Sequence, residues 1–417
     1  MKLADPVVIP RGHDGNPLIE ACGPYWTHDQ IAVHLTQAPP LPCNIESLPP
    51  HLRMYEVIGI RQLHVPSSQT IRLAQKLDLM LRDGYRQRDP REPATWRRLY
   101  SQRQVTGLPD LVPSVMPVIG ISGSGKTMAV HRALARYPQV VVHDRFPNLI
   151  GPLKQLMWLR IEVPSSGKAS DLVEALMRAT DEALGADYFS DYLTSRARPA
   201  MSMMNHWLNK VACHFVGAIF LDEINNLFKL ETLAEQKKKV RKGETIALRI
   251  ADDEALKLIL TLANTAQSAL ILGGTPDCMP IFSTRCSTAQ RMGTGGFIKL
   301  SHFETPDDKQ FREHLLPTLC RYQWFDEHLP LTNDLAELIH RFSGGLPRLC
   351  IALWIHAHQM AIERGGVGLN FEDFIHAAEG PLAPVQPAVA ALLSNSPEKL
   401  SNYRDLLAVH DPVWGAL

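Results

Sequence analysis

Gly120-Ile121-Ser122-Gly123-Ser124-Gly125-Lys126-Thr127 is the stretch that decides the fold. It matches the pattern G-x-x-x-x-G-K-[ST] in full, follows the apolar run 115–119, and precedes the helical spacing of Val130, Ala133 and Leu134. A strand, a glycine-rich turn and a helix in this order form a loop whose backbone N–H groups point at phosphate. The helix N-terminus adds partial positive charge. The stretch therefore predicts a phosphate-binding loop (P-loop) for a nucleoside triphosphate.

The side chains of this loop have separate expected roles. Lys126 is expected to reach the β- and γ-phosphates, and Thr127 is expected to hold Mg²⁺. ATP and Mg²⁺ are therefore the predicted cofactors. The predicted contacts with the nucleotide come from Gly120, Ser122, Gly123, Ser124, Gly125, Lys126, Thr127 and Met128.

A second apolar run, residues 218–221, ends in two acids, Asp222 and Glu223. Beside a P-loop, this pattern is typical of the other half of a phosphoryl-transfer site. Asp222 is expected near Mg²⁺, directly or through water, and Glu223 is expected to polarise the attacking water.

Residues 115–300 alternate short β-branched runs with helical patterns, which is typical of a doubly wound parallel α/β sheet. The candidate strands are 115–119, 140–143, 156–163, 218–221, 269–272 and 297–300. The pattern then becomes mostly helical, which predicts a C-terminal helical lid after the sheet.

Four regions follow from these patterns. Residues 1–66 are rich in proline and predict an irregular arm or a small appended domain. Residues 67–304 form the predicted nucleotide-binding domain, beginning with a helix capped by Ser67 or Ser68 and stopped at Gly84, followed by an arginine-rich stretch. Residues 305–380 form the predicted lid. Residues 381–417 form a tail, which is a candidate segment for binding a partner.

Composition limits the classes of function. Lys plus Arg number 43 and Asp plus Glu number 43, so any DNA contact must come from a local patch. The seven cysteines are scattered and never form a C-x-x-C pair, which argues against a disulfide framework and a zinc site. We find no signal peptide and no apolar run that could span a bilayer. The expected location is the cytoplasm, without membrane association.

Three further residues complete a pattern that resembles AAA+ proteins. Thr275 follows an apolar strand, where AAA+ proteins place the sensor 1 residue. Arg348 follows Ser343-Gly344-Gly345-Leu346-Pro347 at the start of a lid helix and resembles sensor 2. Arg291, with Arg285 as the open alternative, precedes the last strand, where a neighbouring subunit supplies a catalytic arginine in AAA+ rings.

Several stretches resemble the ATPases TnsC and TniB, the target-selection regulators of bacterial cut-and-paste transposons. They are Gly84-Tyr85-Arg86-Gln87-Arg88, the P-loop followed by Tyr137-Pro138-Gln139-Val140-Val141-Val142-His143, residues 155–164, and Gly274-Thr275-Pro276. The likeness covers roughly residues 60–375. One departure is the separation of Lys126 from Asp222, which is long for a minimal AAA+ core.

The resemblance implies an ATPase that assembles as a ring or helical filament with hexameric turns on double-stranded DNA. It implies transposase subunits and a target-selection protein as partners, and a place with the nucleoid in a bacterial cytoplasm. ATP hydrolysis would then disassemble or reset the assembly.

Local basic residues are the candidates for DNA contact. Lys168 follows Ser165-Ser166-Gly167 and resembles the family position at which a lysine faces DNA. Arg196 and Arg198 precede the helical pattern of residues 201–211. The lysine-rich run 237–242 is more simply explained as a solvated surface.

Two other functions stay open at this point. One is another DNA-associated AAA+ ATPase of the initiator or loader type. The other is a nucleotide-binding scaffold with weak hydrolysis, although the presence of Glu223 argues for turnover.

Overall fold

The computed structural model describes residues 9–100, 114–194, 198–227, 257–259, 261–263, 268–279, 293–394, 396–400 and 402–403. The strands are β1 Val115–Gly120, β2 Val140–His143, β3 Leu153–Leu156, β4 Trp158–Glu162, β5 Ala218–Asp222, β6 Ala269–Gly274 and β7 Ile298–Leu300.

Five of these strands form one parallel sheet in the order β4-β5-β6-β1-β7. Every residue of β1, β5 and β6 is buried, as expected for central parallel strands that are covered on both faces. Parallel strands bring their carboxyl ends to one edge, where ligands of open α/β sheets bind. The P-loop after β1 and the acids after β5 therefore come to the same edge.

Most of the predicted strand 156–163 is present as β4, but Leu156 is the last residue of a separate strand, β3. The chain changes partner at Met157, whose N–H donates to the Gln139 carbonyl at 2.8 Å and whose carbonyl accepts from Ala218 N–H at 2.9 Å. β3 thus pairs antiparallel with β2, whereas β4 pairs parallel with β5. The predicted strand 140–143 is present as β2, but it belongs to this hairpin and not to the parallel sheet.

The described helices cover both faces of the sheet and form the lid. They are α1 Pro17–Glu20, α2 His28–Leu35, α3 Pro50–Val57, α4 Ser68–Arg86, α5 Pro93–Tyr100, α6 Lys126–Leu134, α7 Ala169–Leu184, α8 Ser190–Thr194, α9 Ala200–Val211, α10 Leu316–Cys320, α11 Asn333–Ser343, α12 Pro347–Glu363, α13 Phe371–Glu379, α14 Gln386–Ser394 and α15 Pro397–Leu400. Among the described helices, none has the length and apolar character needed to cross a membrane.

Helix α4 begins as predicted, with the Ser67 hydroxyl accepting from Thr70 N–H at 3.1 Å. It does not stop at Gly84 but continues to Arg86. The reason is burial, because Leu81 and Tyr85 in its last turns pack into the core beneath the sheet. Tertiary packing outweighs the local preference of glycine for a helix end.

Residues 9–66 differ from the irregular or appended arm that their proline content predicts. Leu18 and Ile31 pack in the core of the sheet, beside residues of β1 and α6. Val57 and Ile60 pack instead in the core of the lid, with Trp324. This segment therefore joins the sheet to the lid by sharing the apolar core of each.

The lid consists of α10–α13 around a core of its own, and the segment after it packs on the P-loop. Ala391, Leu392 and Leu400 of α14 and α15 lie against Ile121 and Leu346. The first part of the predicted tail is thus helical and contacts the P-loop and the start of α12.

Candidate functional site

The loop between β1 and α6 can follow its path only because of its glycines. A Cβ on Gly120 would lie 2.5 Å from the Leu300 carbonyl oxygen and 2.6 Å from Ser124 Oγ. Gly123 and Gly125 have φ of 84° and 89°, a left-handed conformation that costs residues with a Cβ free energy. The loop therefore turns its backbone toward the ligand side, with Lys126 as the first residue of the helix.

Lys126 is buried, and its ammonium donates to the carbonyls of Gly120 at 2.6 Å and Ile121 at 3.2 Å. Burial lowers its pKa, and the nearby carboxylates of Glu223 and Asp222 act against this shift. Ser124 Oγ is also buried and has no hydrogen-bond partner among the described residues. A cation and a free hydroxyl at a helix N-terminus fit an anionic phosphate.

Asp222 and Thr127 meet at the bottom of this site. Asp222 is the last residue of β5 and is 3% exposed, and its carboxylate accepts hydrogen bonds from the Thr127 hydroxyl and from Glu223 N–H. Burial raises the pKa of Asp222, while the Thr127 hydrogen bond lowers it. Glu223 follows with φ of 55°, so the backbone turns sharply after the strand.

These groups fit Mg²⁺. Mg²⁺ prefers oxygen ligands and is usually held by one or two protein groups together with substrate phosphates. Thr127 and Asp222 supply such oxygens, and Asn225 Oδ1 is a further buried oxygen without a partner in the described chain. No cluster of three or more His, Cys, Asp or Glu side chains suited to a metal occurs within the described ranges. A metal here would therefore need phosphate ligands as well.

A cavity of about 650 Å³ is lined by most of the predicted nucleotide-site residues, whereas Gly120, Ser124 and Asp222 are not part of its lining. The predicted ones that line it are Ser122, Gly123, Gly125, Lys126, Thr127, Met128, Glu223, Thr275 and Arg348. Four lining residues were not predicted: His131, Arg160, Asn225 and Asp277.

Arg160 is the most informative of the residues that the sequence interpretation missed. Its guanidinium lies 3.7 Å from the Asp222 carboxylate, and it also helps to lower the pKa of His131, after burial. The sequence did contain a signal for Arg160. Leu159 and Ile161 flank it at strand spacing, so that these two side chains are buried and Arg160 lies on the opposite face of β4. Its proximity to Asp222, however, depends on β4 lying beside β5.

The two predicted sensors lie at the cavity but reach it from different parts of the chain. Thr275 directly follows β6, and its hydroxyl donates to the Asp277 carboxylate. Arg348 lies in the first turn of α12, with its Cβ 3.8 Å from the position of a Cβ on Gly123.

The lid is tied to the sheet just before this helix. Phe303 N–H donates to the Gly345 carbonyl at 3.0 Å, and a Cβ on Gly345 would overlap the Phe303 carbonyl oxygen at 2.0 Å. Only glycine fits at this position, which fixes the start of α12 relative to the P-loop.

A second cavity, of about 420 Å³, shares Gly125 with the first. Its walls come from residues 63–70, residues 300–305 and the lid residues Pro347 and Ile351. His302 in this wall is mostly buried, which lowers its pKa. The two cavities therefore meet at Gly125 of the P-loop.

The remaining predicted residues lie elsewhere. Lys168 is exposed at the N-cap of α7, and Arg198 stacks its guanidinium 4.0 Å from the centre of the Tyr192 ring. Neither lines the nucleotide cavity. Arg291, its alternative Arg285, Arg196 and the run 237–242 lie outside the described residues.

The sheet order, the P-loop after β1, the acids after β5 and the helical lid define an α/β AAA+ P-loop NTPase fold. A sequence family described as the AAA domain matches residues 113–282, which include both halves of the phosphate site. A comparison with curated protein sequences finds no match.

Among solved structures, the chain is similar to the Aeropyrum pernix ORC2 protein in its ADPNP–ADP complexes, with a TM-score of 0.37 and 12% identity over 64% of this chain and 61% of that one. It is also similar to Drosophila ORC bound to DNA, with a TM-score of 0.43 and 13% identity over 88% of this chain and 73% of that one. A variant of Thermotoga maritima RuvB has a TM-score of 0.37 and 15% identity, over 81% and 86% of the two chains. These are distant likenesses.

Proposed function

We propose that this protein is an ATP-dependent regulator of DNA transposition. It assembles on double-stranded DNA, links a target-selection protein to a transposase, and is reset by ATP hydrolysis. The observation that carries the ATPase part is a cavity lined by Lys126, Thr127 and Glu223, with the buried Asp222 carboxylate beside Thr127.

Each of these residues has a task in ATP hydrolysis. Lys126 leaves its loop carbonyls to neutralise charge on the β- and γ-phosphates. Thr127 and Asp222 would hold Mg²⁺, which would supply positive charge next to the phosphates. Glu223 accepts a hydrogen bond from water and orients it toward the γ-phosphate. Thr275 positions that water, and Arg348 contacts the γ-phosphate from the lid.

The base of the nucleotide occupies the second cavity. This cavity combines apolar walls, such as Leu63 and Ile351, with polar groups, such as Thr70, and so suits a purine that must be both buried and oriented. Because its walls come from the sheet domain, the lid and residues 63–70, a bound base contacts all three parts of the chain.

The transposition role rests on the resemblance to TnsC and TniB, and the resembling stretches pack against one another. Tyr85 OH donates to Met157 Sδ at 3.5 Å, and Trp158 Nε1 donates to the Tyr137 carbonyl at 3.0 Å. His143 Nε2 lies 2.7 Å from Gln155 Oε1. Three separate stretches of sequence thus form one connected unit.

DNA binding is proposed for Lys168, Arg196 and Arg198, and it requires an oligomer because each subunit offers few cations. Arg291, or Arg285 in its place, is proposed to complete the active site of the neighbouring subunit. An initiator or loader, the alternative, would show preference for particular DNA sequences or structures. A scaffold with weak hydrolysis would bind ATP without turnover.

The test is negative-stain imaging of the purified protein with random-sequence duplex DNA and a slowly hydrolysed ATP analogue. We expect rings or helical filaments on DNA with the analogue and none with ADP. A transposase should then co-sediment with these assemblies and not with free DNA. Assembly only on selected sequences, without capture of transposase, would favour the initiator or loader type.

A further inference from the structure

The loop between β4 and α7, residues 164–168, packs on the turn that carries Glu223. At the end of β4, Val163 N–H donates to the Asp222 carbonyl at 2.9 Å and so continues the pairing with β5. The two segments that follow these strands then diverge. The segment after β4 becomes the loop that ends at Lys168, and the segment after β5 continues into Glu223. Both begin at the carboxyl edge of the sheet, from neighbouring strands.

Asn226 connects these two segments by hydrogen bonds. Its side-chain Nδ2 donates to the Val163 carbonyl at 2.9 Å, while its backbone N–H donates to the Glu223 carbonyl at 3.0 Å. One residue therefore holds both the start of the loop and the backbone of Glu223. On the other side of Glu223, its own N–H donates to Asp222 Oδ1 at 3.1 Å.

The loop and the turn also approach each other closely at Gly167. A Cβ on Gly167 would lie 2.4 Å from the Asn226 carbonyl oxygen, and Gly167 has φ of 65°. The loop is shaped to meet the turn at this point, and Lys168 is the next residue, exposed to solvent at the N-cap of α7.

Glu223 needs such support because its backbone is in a left-handed conformation, with φ of 55°. A non-glycine residue persists there only when its surroundings hold it. Asp222 and Asn226 provide the two backbone hydrogen bonds that do so. Displacement of Asn226 would therefore release Glu223 toward ordinary backbone angles and move its carboxylate.

We propose that Asn226 is a positioning residue that couples the loop 164–168 to Glu223. A polyanion that binds Lys168 stabilises the contact between the loop and the turn, and so fixes the position of Glu223. In the opposite direction, a nucleotide bound at Glu223 stabilises the loop. The identity of the two ligands rests on the proposed function, whereas the coupling rests on the contacts of Asn226. Coupling between binding sites is reciprocal, so it can be measured from either side.

The test measures the nucleotide-dependent protection of the loop. Backbone hydrogen exchange of a peptide spanning residues 163–171 is followed with and without the slowly hydrolysed ATP analogue. In the wild type, the analogue should slow exchange. In Asn226→Asp, which keeps the size and removes the donor, the slowing should shrink about fivefold, the equivalent of one hydrogen bond. The affinity for the analogue should stay within about fivefold of wild type, since one lost hydrogen bond sets the upper limit.

A second pair of variants separates contact from backbone strain. Gly167→Ala should abolish the protection by pushing the loop away from Asn226. Gly185→Ala, at the other end of α7, has a similar φ of 57° but open space around its Cβ, and should leave the protection unchanged. Asn209→Ala on α9 is the control for loss of an asparagine.

Two results would overturn the proposal: full protection in Asn226→Asp, or no effect of the analogue on the wild-type loop. DNA binding and phosphate release are measured in parallel on the wild type. If the wild type neither binds DNA nor releases phosphate, but the nucleotide still protects its loop and Asn226→Asp loses that protection, the proposed function is wrong and the coupling stands.

Discussion

The guanidinium of Arg160 lies 3.7 Å from the carboxylate of Asp222, across the neighbouring strands β4 and β5. Asp222 has a side chain that is 4% exposed, and that of Arg160 is 36% exposed. The separation exceeds that of a charge-assisted hydrogen bond, about 2.7–2.9 Å, so the pair is loose. Arg160 lowers the pKa of Asp222 against the opposing effect of burial. It also brings a further cation, besides Lys126 and Arg348, to the lining of the phosphate cavity.

Arg160→Ala should weaken the binding of an ATP analogue by about tenfold and that of ADP less, because the γ-phosphate carries the extra charge near the acids. Isothermal titration calorimetry with both nucleotides measures this difference. Arg178→Ala is the matched control, since Arg178 is exposed on α7 and pairs only with Glu174 among the described contacts. Equal losses for the two nucleotides would show that Arg160 acts only on the stability of the site.

Lys126→Ala should abolish ATP binding. The variant removes the buried ammonium that neutralises the phosphates, and hydrogen bonds to charged groups contribute about 1.5–3 kcal/mol each. The fold should survive, because the lost contacts are two loop carbonyls. Calorimetry gives the affinity and circular dichroism checks the fold. An unchanged affinity in a folded variant would mean that the nucleotide lies elsewhere.

Glu223→Gln should separate binding from turnover. The amide keeps the size of the side chain and loses its ability to accept a proton or polarise water. ATP should bind with wild-type affinity, hydrolysis should fall by at least about a hundredfold, and DNA-bound assemblies should last longer. Phosphate release and the lifetime of the complexes provide the two measurements. Hydrolysis at the wild-type rate would exclude Glu223 as the catalytic residue.

The stability of the lid should fall in acid because of His358. This imidazole is fully buried, lies 2.8 Å from the Trp354 carbonyl through Nδ1, and leaves Nε2 without a partner among described residues. Burial lowers its pKa from 6.5 to about 4. Below pH 6.5, His358 is therefore protonated in the unfolded chain, whereas in the folded chain it stays neutral until the pH approaches about 4.

The free energy of unfolding should consequently drop by roughly 1.4 kcal/mol per pH unit as the pH falls from 6.5 toward about 4. Urea unfolding at several pH values, followed by the fluorescence of the lid tryptophans, measures this slope. His358→Leu should flatten it, whereas His376→Leu, at an exposed position of α13, should not. A slope that persists in His358→Leu would assign the acid sensitivity to other groups.

What the sequence predicted well was local. The P-loop and the Asp222–Glu223 pair are consecutive residues whose order implies strand, turn and helix, and the parallel sheet follows from their alternation with helical patterns. Arg160 was missed because its role depends on which strand lies beside β4. The break at Met157 was missed for the same reason, since it marks a change of pairing partner.

The N-terminal segment was misjudged because its apolar residues are sparse in sequence. Leu18 and Ile60 are fully buried, but each packs against residues far along the chain, in the sheet and the lid respectively. Hydrophobic periodicity identifies the buried face of a single helix. The helices between these prolines are too short to show a clear period. The roles of Thr275, Arg348 and Lys168 stay predictions, because the structure places these side chains without testing what they bind.

DNA binding gives the last prediction, and it follows from charge. The chain has no net charge, so the affinity for duplex DNA must come from a few cations repeated in each subunit. Binding should therefore require ATP, which sets the assembly, and show little sequence preference, because phosphate contacts carry none. Each phosphate contact releases counterions, so log affinity should fall with log salt at a slope of about −0.9 per contact.

Lys168→Ala should flatten this slope and leave ATP binding intact, because Lys168 lies outside the nucleotide cavity. Arg198→Ala together with Arg196→Ala should do the same. Tyr192→Leu should have a smaller effect, since it keeps the Arg198 charge and removes the ring against which Arg198 and His206 stack. Lys309→Ala is the control, because its side chain is 82% exposed on the lid. The measurement is fluorescence anisotropy of labelled duplex over a salt series. If the slopes of wild type and variants coincide, these cations do not contact DNA, and the run 237–242 becomes the next candidate.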